Sequence, residues 1–269
     1  MDDQGFAARV LADSVSPAGV RLTTLEVRFP RFILSEFNTH RVFSRNSASS
    51  RAVPTKKMIE RVLGNPAMPV EWGVNKAGMS ASEALTDEQA QLAKEEWLRA
   101  RDSAVQHVRA LQAFNVHKQV INRVLEPYMW HTVIVTATEW ENFFSLRLAE
   151  NAQPEIQVAA RAMFDAKAAS DPKTIALGDW HLPLVQDDER SLPIEVRKKV
   201  SAARCARVSY LTHDGKRDIE KDIELCQRLL SDRHMSPFEH VATPATDAGF
   251  HANFRGWVQM RKELEAAAR

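Results

Sequence analysis

With 269 residues the chain can bury a substantial core, and a single compact domain spanning 1–269 is the expected organisation. Its 36 Lys and Arg against 35 Asp and Glu leave a formal charge of +1, which excludes a globally basic partner surface for nucleic acid or membrane, so any basic site has to be local. The only cysteines, Cys205 and Cys226, form no CxxC pair, the start MDDQGFAARV has no leader pattern, and no apolar run approaches membrane-spanning length; a reduced, soluble, cytoplasmic protein is expected.

From about Val10 to Leu34, short apolar runs broken by Pro17, Gly19 and Pro30 alternate through Leu22, Thr24, Leu25, Val27 and Phe29 and predict strands. Residues 35–51 turn polar and form the chemically densest segment. Pro54, Gly64, Pro66, Pro69 and Gly73 predict loops, with the stretch to about Ser82 a lid or an insertion. Thr86 with Gln89 three residues on reads as a capping box opening a long helix through Leu92, Trp97, Ala100, Ala104, Val108 and Leu111. A second helical stretch, Val116 to Val124, precedes Pro127, and Met129 to Val135 is apolar and β-branched enough for a strand. Pro154 suits the first turn of a helix through Ile156, Ala159, Ala160 and Met163. Residues 171–193 read as loop, and helices are predicted near Ile194 to Ala206 and Ile219 to Leu230. Without a regular βαβ alternation, the elements imply an α+β fold.

The segment Thr39 to Arg51 packs Arg41, Arg45 and Arg51 beside Ser44, Ser47, Ser49 and Ser50. Guanidinium forks and short hydroxyl donors suit a phosphate ester; a solvated polar turn accounts for the composition equally well. No G-x-S-x-G elbow, no G-x-G-x-x-G and no metal-ligand spacing among His107, His117, His131 and His181 is present, which weakens hydrolase, dinucleotide-fold and zinc readings.

Taken together, several segments resemble the flavin-dependent thymidylate synthases, whose signature has the form R-H-R-x-x-S-x-N-x-x-S-x-R. Here it stands as Thr39-His40-Arg41 followed by Ser44, Asn46, Ser49 and Arg51, with threonine in place of the first arginine. Arg123-Val124-Leu125-Glu126-Pro127 is similar to the family's R-x-V-L-P with one residue displaced, Asn142 to Arg147 to its N-F-L-x-L-R, and Ala152 to Ile156 to its A-Q-x-E-I. Arg207 to Tyr210 and His234 to His240 resemble its R-V-S-[FY] and H-x-[ST]-P-F-E-H, which in the family come before the R-H-R motif and here come last. The resemblance therefore implies a permuted chain order of an α+β fold, a mixed sheet with long helices.

The resemblance further implies a homotetramer that methylates C5 of a pyrimidine deoxynucleotide monophosphate, most simply dUMP, with FAD as cofactor and NADPH and methylenetetrahydrofolate as co-substrates. By position, His40, Asn142, Leu146, Ser209, His234, Ser236 and Glu239 would line the flavin site. Glu36, Arg41, Ser47, Ser49, Ser50, Arg51, Arg123 and Arg147 would surround the nucleotide, with Arg147, Ser49 and Arg51 as catalytic candidates and no metal. Glu36 falls where the family has glutamine, Ser47 where it has glutamate, Ala52 where it has tyrosine and Asn151 where it has histidine, which opens dCMP methylation, hydroxymethylation or a binding protein without turnover as alternatives. Cys205 matches no P-C-H-Q nucleophile setting; flanked by Arg204 and Ala206-Arg207 it is expected to be structural, with a lowered pKa as the other possibility.

Overall fold

The computed structural model describes residues 5–78, 81, 83–208 and 217–267. Strands β1 (Ala7–Val15) and β2 (Arg21–Pro30) form an antiparallel hairpin. Its turn closes with the Gly19 N–H donating to Ser16 O at 2.9 Å, at a φ of 77° that glycine adopts without strain. β3 (Ser44–Ser47), β4 (Trp130–Ala137) and β5 (Lys173–Thr174) complete a five-stranded sheet in the order β3-β4-β2-β1-β5. β5 runs parallel to β1 and the other pairs are antiparallel, so the sheet is mixed.

Strand alternation gives the sheet two unlike faces. Leu25, Val27, Phe29, Val133, Val135 and Ala137 make one apolar side. It is covered by Phe37 of α1 (Leu34–Phe37), Trp140, Phe143 of α5 (Glu141–Arg147), and Ile156, Ala159, Ala160 and Met163 of α6 (Pro154–Ala168). The proline-led start and the i, i+3, i+4 apolar stripe of α6 explain that helix. Ser14, Leu22, Thr24, Ile134, Thr136 and Ser44 share the opposite side. There the later part of the chain packs: Ala242, Phe254 and Trp257 against Val20 and Leu22, and Cys205 and Val208 against Ile134. That part contains α7 (Ile194–Ala206), α8 (Ile219–Ser231) and α9 (Met260–Ala267), which close around Phe238 and Val241.

A separate apolar cluster lies beyond the end of the sheet. α3 (Asp87–Ala113) starts at Thr86 with both halves of the capping box present, and buries Val105 and Val108. Its partner α2 (Thr55–Gly64) falls inside the stretch read from sequence as loop. Met58, Ile59 and Val62 give α2 an apolar side, but its ten residues sit between Pro54 and Pro66, and those two prolines dominate the local signal. The helical stretch before Pro127 is α4 (Lys118–Ile121) followed by a 3-10 helix, Asn122–Tyr128, that carries Pro127 inside it. Among the described residues no helix is long and apolar enough to cross a membrane.

Candidate active site

α1 and α5 bring the first group of expected site residues together. Arg147 Nε donates to His40 Nε2 at 2.9 Å, and Arg147 Nη2 donates to Thr39 Oγ1 at 3.0 Å and to the Glu36 carbonyl at 3.5 Å. His40 stands edge-on to Phe143, ring centres 4.8 Å apart. Burial first, then the nearby Arg147 and Arg45 cations, push its pKa down to about 4. The ring is therefore neutral near pH 7 and takes the arginine N–H as an acceptor. Thr39 donates its own hydroxyl hydrogen to Glu36 O at 2.7 Å while accepting from Arg147, so the residue that replaces an arginine helps fix another one. Beside this network Glu36 Oε2 is buried and has no hydrogen-bond partner among the described residues.

A second group gathers where residues 48–53 meet the 3-10 helix. Glu126 Oε1 accepts from Ser50 Oγ at 2.9 Å and from Arg123 Nη1 at 2.8 Å, with Arg31 Nη2 3.5 Å away. Asn122 Nδ2 donates to the carbonyls of Ser50 and Val53, holding the loop. Ser49 and Ser50 line a cavity of about 470 Å³ with Arg28, Lys57, Arg61, Tyr128 and His131. Arg31 Nη1 donates to His131 Nδ1 at 3.1 Å, which leaves the ring proton on the buried Nε2, where no partner exists among the described residues. Burial and Arg31 push His131 down to about 3.

The remaining expected residues are dispersed. Arg41, Ser47 and Arg51 are exposed, as are Asn142, His234 and Ser236, and Leu146 is 52% exposed. Glu239 pairs with Arg261 at 2.6 Å. Ser209 lies outside the described residues. Glu36, His40 and Arg147 do not line the cavity that holds Ser49 and Ser50. Cys205 is fully buried and its thiol pKa is raised by desolvation, which corrects the possibility of a thiolate lowered by flanking arginines. Arg204 is turned away into ion pairs with Glu189 and Asp222, and Arg207 also reaches Asp222. Glu126 and Thr39 were not singled out as site residues from sequence; an acid three residues after Arg123 was the available signal for the first.

The family model described as thymidylate synthase complementing protein matches residues 10–173. No curated protein matches the chain. Among solved structures, the chain is similar to a UMP/dUMP methylase PolB from Streptomyces cacaoi bound with 5-Br UMP, at 18% identity and a TM-score of 0.50, over 61% of this chain and 89% of that one. It is also matched to a flavin-dependent thymidylate synthase ThyX from Helicobacter pylori complexed with FAD and dUMP, at 22% identity and a TM-score of 0.37, over 54% of this chain and 67% of that one.

Proposed function

Because the chain belongs to the thymidylate synthase complementing protein family, we propose that it is a flavin-dependent enzyme that adds a one-carbon unit to C5 of a pyrimidine deoxynucleotide, dUMP to dTMP being the first choice. The observation that carries the reading is the pair formed by an orphaned buried carboxylate oxygen, Glu36 Oε2, and the Arg147 cation fixed to the same turn. A buried oxygen without a partner costs about 1–3 kcal/mol, which a ligand N–H would recover. The uracil N3–H meets that need. Arg147, held by His40 and Thr39, stabilises negative charge developing on the base during attack at C5.

The donor set also fits FAD. Asn142, His234 and Ser236 present exposed polar groups, Leu146 presents an exposed apolar one, and His40 keeps its Nδ1–H to donate. These residues with Glu239 and Ser209 would hold the cofactor. When bound, FAD supplies the redox equivalents and the one-carbon relay, drawing on NADPH and methylenetetrahydrofolate as co-substrates. The protein's part is to orient the base on Glu36, hold the cation at Arg147 and keep His40 uncharged. Arg51, Ser49, Ser50, Arg41, Ser47 and Arg123 complete the reading as contacts to the nucleotide and its phosphate.

Ser49 and Ser50 line a cavity that Glu36, His40 and Arg147 do not line, which supports a site completed between copies. A homotetramer, a single domain and a permuted chain order belong to the same reading. In support, Ala242 and Phe254 pack against Leu22 of the strands before Thr39, and His240 Nε2 lies 3.4 Å from Asn46 Oδ1. The test is mass analysis of the product after incubating the FAD-loaded protein, NADPH and methylenetetrahydrofolate with dUMP, dCMP and UMP separately. Gain of one CH₂ by dUMP is expected. Reaction of dCMP alone, or gain of CH₂O, replaces the substrate or product while keeping the chemistry; no gain with any of the three overturns the reading.

A further inference from the structure

On the polar side of the sheet, six side chains drawn from six separate places in the sequence form one unbroken hydrogen-bond chain. Ser14 Oγ lies 2.9 Å from His181 Nδ1, and His181 Nε2 lies 2.8 Å from Thr24 Oγ1. Thr24 Oγ1 is 2.7 Å from Thr136 Oγ1, which is 2.7 Å from His240 Nδ1. His240 Nε2 closes the series on Asn46 Oδ1 at 3.4 Å. All except the half-buried Asn46 are buried.

One end sets the sense of every link. The Asn46 amide oxygen only accepts, so His240 Nε2 carries its ring proton and Nδ1 accepts from the Thr136 hydroxyl. Thr136, its single hydrogen spent, accepts from Thr24; Thr24 accepts from His181 Nε2–H; and His181 Nδ1 accepts from Ser14. Both rings are neutral Nε2–H tautomers with no proton missing or left over. Burial pushes both pKa values down to about 3, which agrees with that count near pH 7. Links pointing one way polarise one another, so the series is stiffer than its separate bonds.

Asn46 is the only member within the 39–51 segment. With Oδ1 turned inward, its Nδ2 is a donor without a hydrogen-bond partner among the described residues. We propose that the Ser14, His181, Thr24, Thr136 and His240 series is a positioning relay that locks the Asn46 carboxamide, presenting its NH₂ to an oxygen acceptor on the ligand of this segment. His240 is then a positioning residue acting through Asn46. The inference rests on the reading of 39–51 as the ligand-binding segment, and it adds a buried device that the family motif does not contain, since Ser14, Thr24, Thr136 and His181 lie outside the motif segments.

The experiment has a structural arm and an affinity arm. With ¹⁵N-labelled histidine, NMR of the intact protein should show His181 and His240 each protonated on Nε2 alone from pH 8 to 5. Thr136→Val removes one hydroxyl at nearly constant shape. It should abolish the single-tautomer pattern of His240 and raise either the nucleotide KM or the FAD Kd about fivefold, the scale of one hydrogen bond, with kcat within about twofold. Whichever constant moves identifies the ligand. Thr136→Ser should restore both readouts, and Ser14→Ala, at the far end, should repeat the changes at smaller size. Protons on Nδ1 of both rings overturn the relay, as does a Thr136→Val protein with unaltered tautomers and affinities, or Thr136→Ser failing as Val does. The tautomer arm needs no turnover, so a protein that methylates no pyrimidine nucleotide would sink the functional reading and leave the relay tested on its own.

Discussion

The two sides of the central sheet are built on different physics. The side under α5 and α6 is mainly apolar, with Phe29, Phe37, Phe43, Trp140 and Phe143 packed edge to tilted face and the polar Asp13, Thr23 and Arg21 paired with one another at its border, and its contribution scales with area removed from water. The side under the C-terminal third is threaded by hydroxyls and two imidazoles, each paired with a partner from another element. Hydrogen bonds there gain little net energy, but an unmatched partner is costly, so this side selects one register rather than adding much stability. The Arg147 network sits at the rim of the first side, and Asn46 at the rim of the second. The sheet thus holds one cluster by packing and the other by polar matching.

The largest effect that would sharpen this contrast is Phe29→Ala, which should cost about 4 kcal/mol in urea unfolding, as for other large-to-small changes in a tight core. A loss below about 1 kcal/mol would mean that the apolar side does not carry the stability assigned to it.

Acid should act through the buried histidines, two of which lie on the other side. The His181 and His240 pKa values are about 3 in the folded protein against about 6.5 unfolded, so their contribution is fully present above pH 6.5 and is lost as pH falls from there toward 3. These two rings contribute about 3 kcal/mol of the stability lost between pH 7.5 and pH 5.5, and the likewise depressed His40 and His131 add to that loss. A flat stability between these two pH values would show that the rings are not held neutral.

Arg147→Ala should lower kcat about 100-fold while moving the urea midpoint little, because the guanidinium lies at the rim and its loss removes charge stabilisation rather than packing. Arg147→Lys, which keeps the charge but loses the fork to His40 and Thr39, should fall in between. An unchanged kcat would move the ring contact elsewhere. The smallest effect belongs to Asn253→Ala, which removes donors to Val42 O and Ser44 Oγ and should cost about 1 kcal/mol in unfolding with a matching loss of nucleotide affinity. Loss of stability without loss of affinity would separate the C-terminal strap from the site.

Local sequence signals located β2, β4, α3, α6, α7 and α8, among them the capping box at the start of α3, the proline-led start and apolar stripe of α6 and the apolar, β-branched run of β4. They missed α2, whose Met58, Ile59 and Val62 stripe is too short to outweigh flanking prolines until α3 supplies the surface it packs on. The motif segments marked Glu36, His40 and Arg147 as neighbours in function. That Thr39 would accept from Arg147, or that Glu36 would keep an unpaired oxygen, was not readable, since both depend on how α5 lies across the turn after α1.

What the sequence determined by itself was local: where strands and helices begin, which segments carry phosphate-type donors, and the family likeness in their order. Tertiary structure decided which distant polar groups would find one another. Ser14, Thr24 and Thr136 look like ordinary strand residues, and His181 sits in a loop of unremarkable composition. Their role exists because burial makes each unpaired donor or acceptor expensive, and only the folded sheet, with the C-terminal third laid across it, offers the six a single arrangement in which the half-buried Asn46 NH₂ alone is left over.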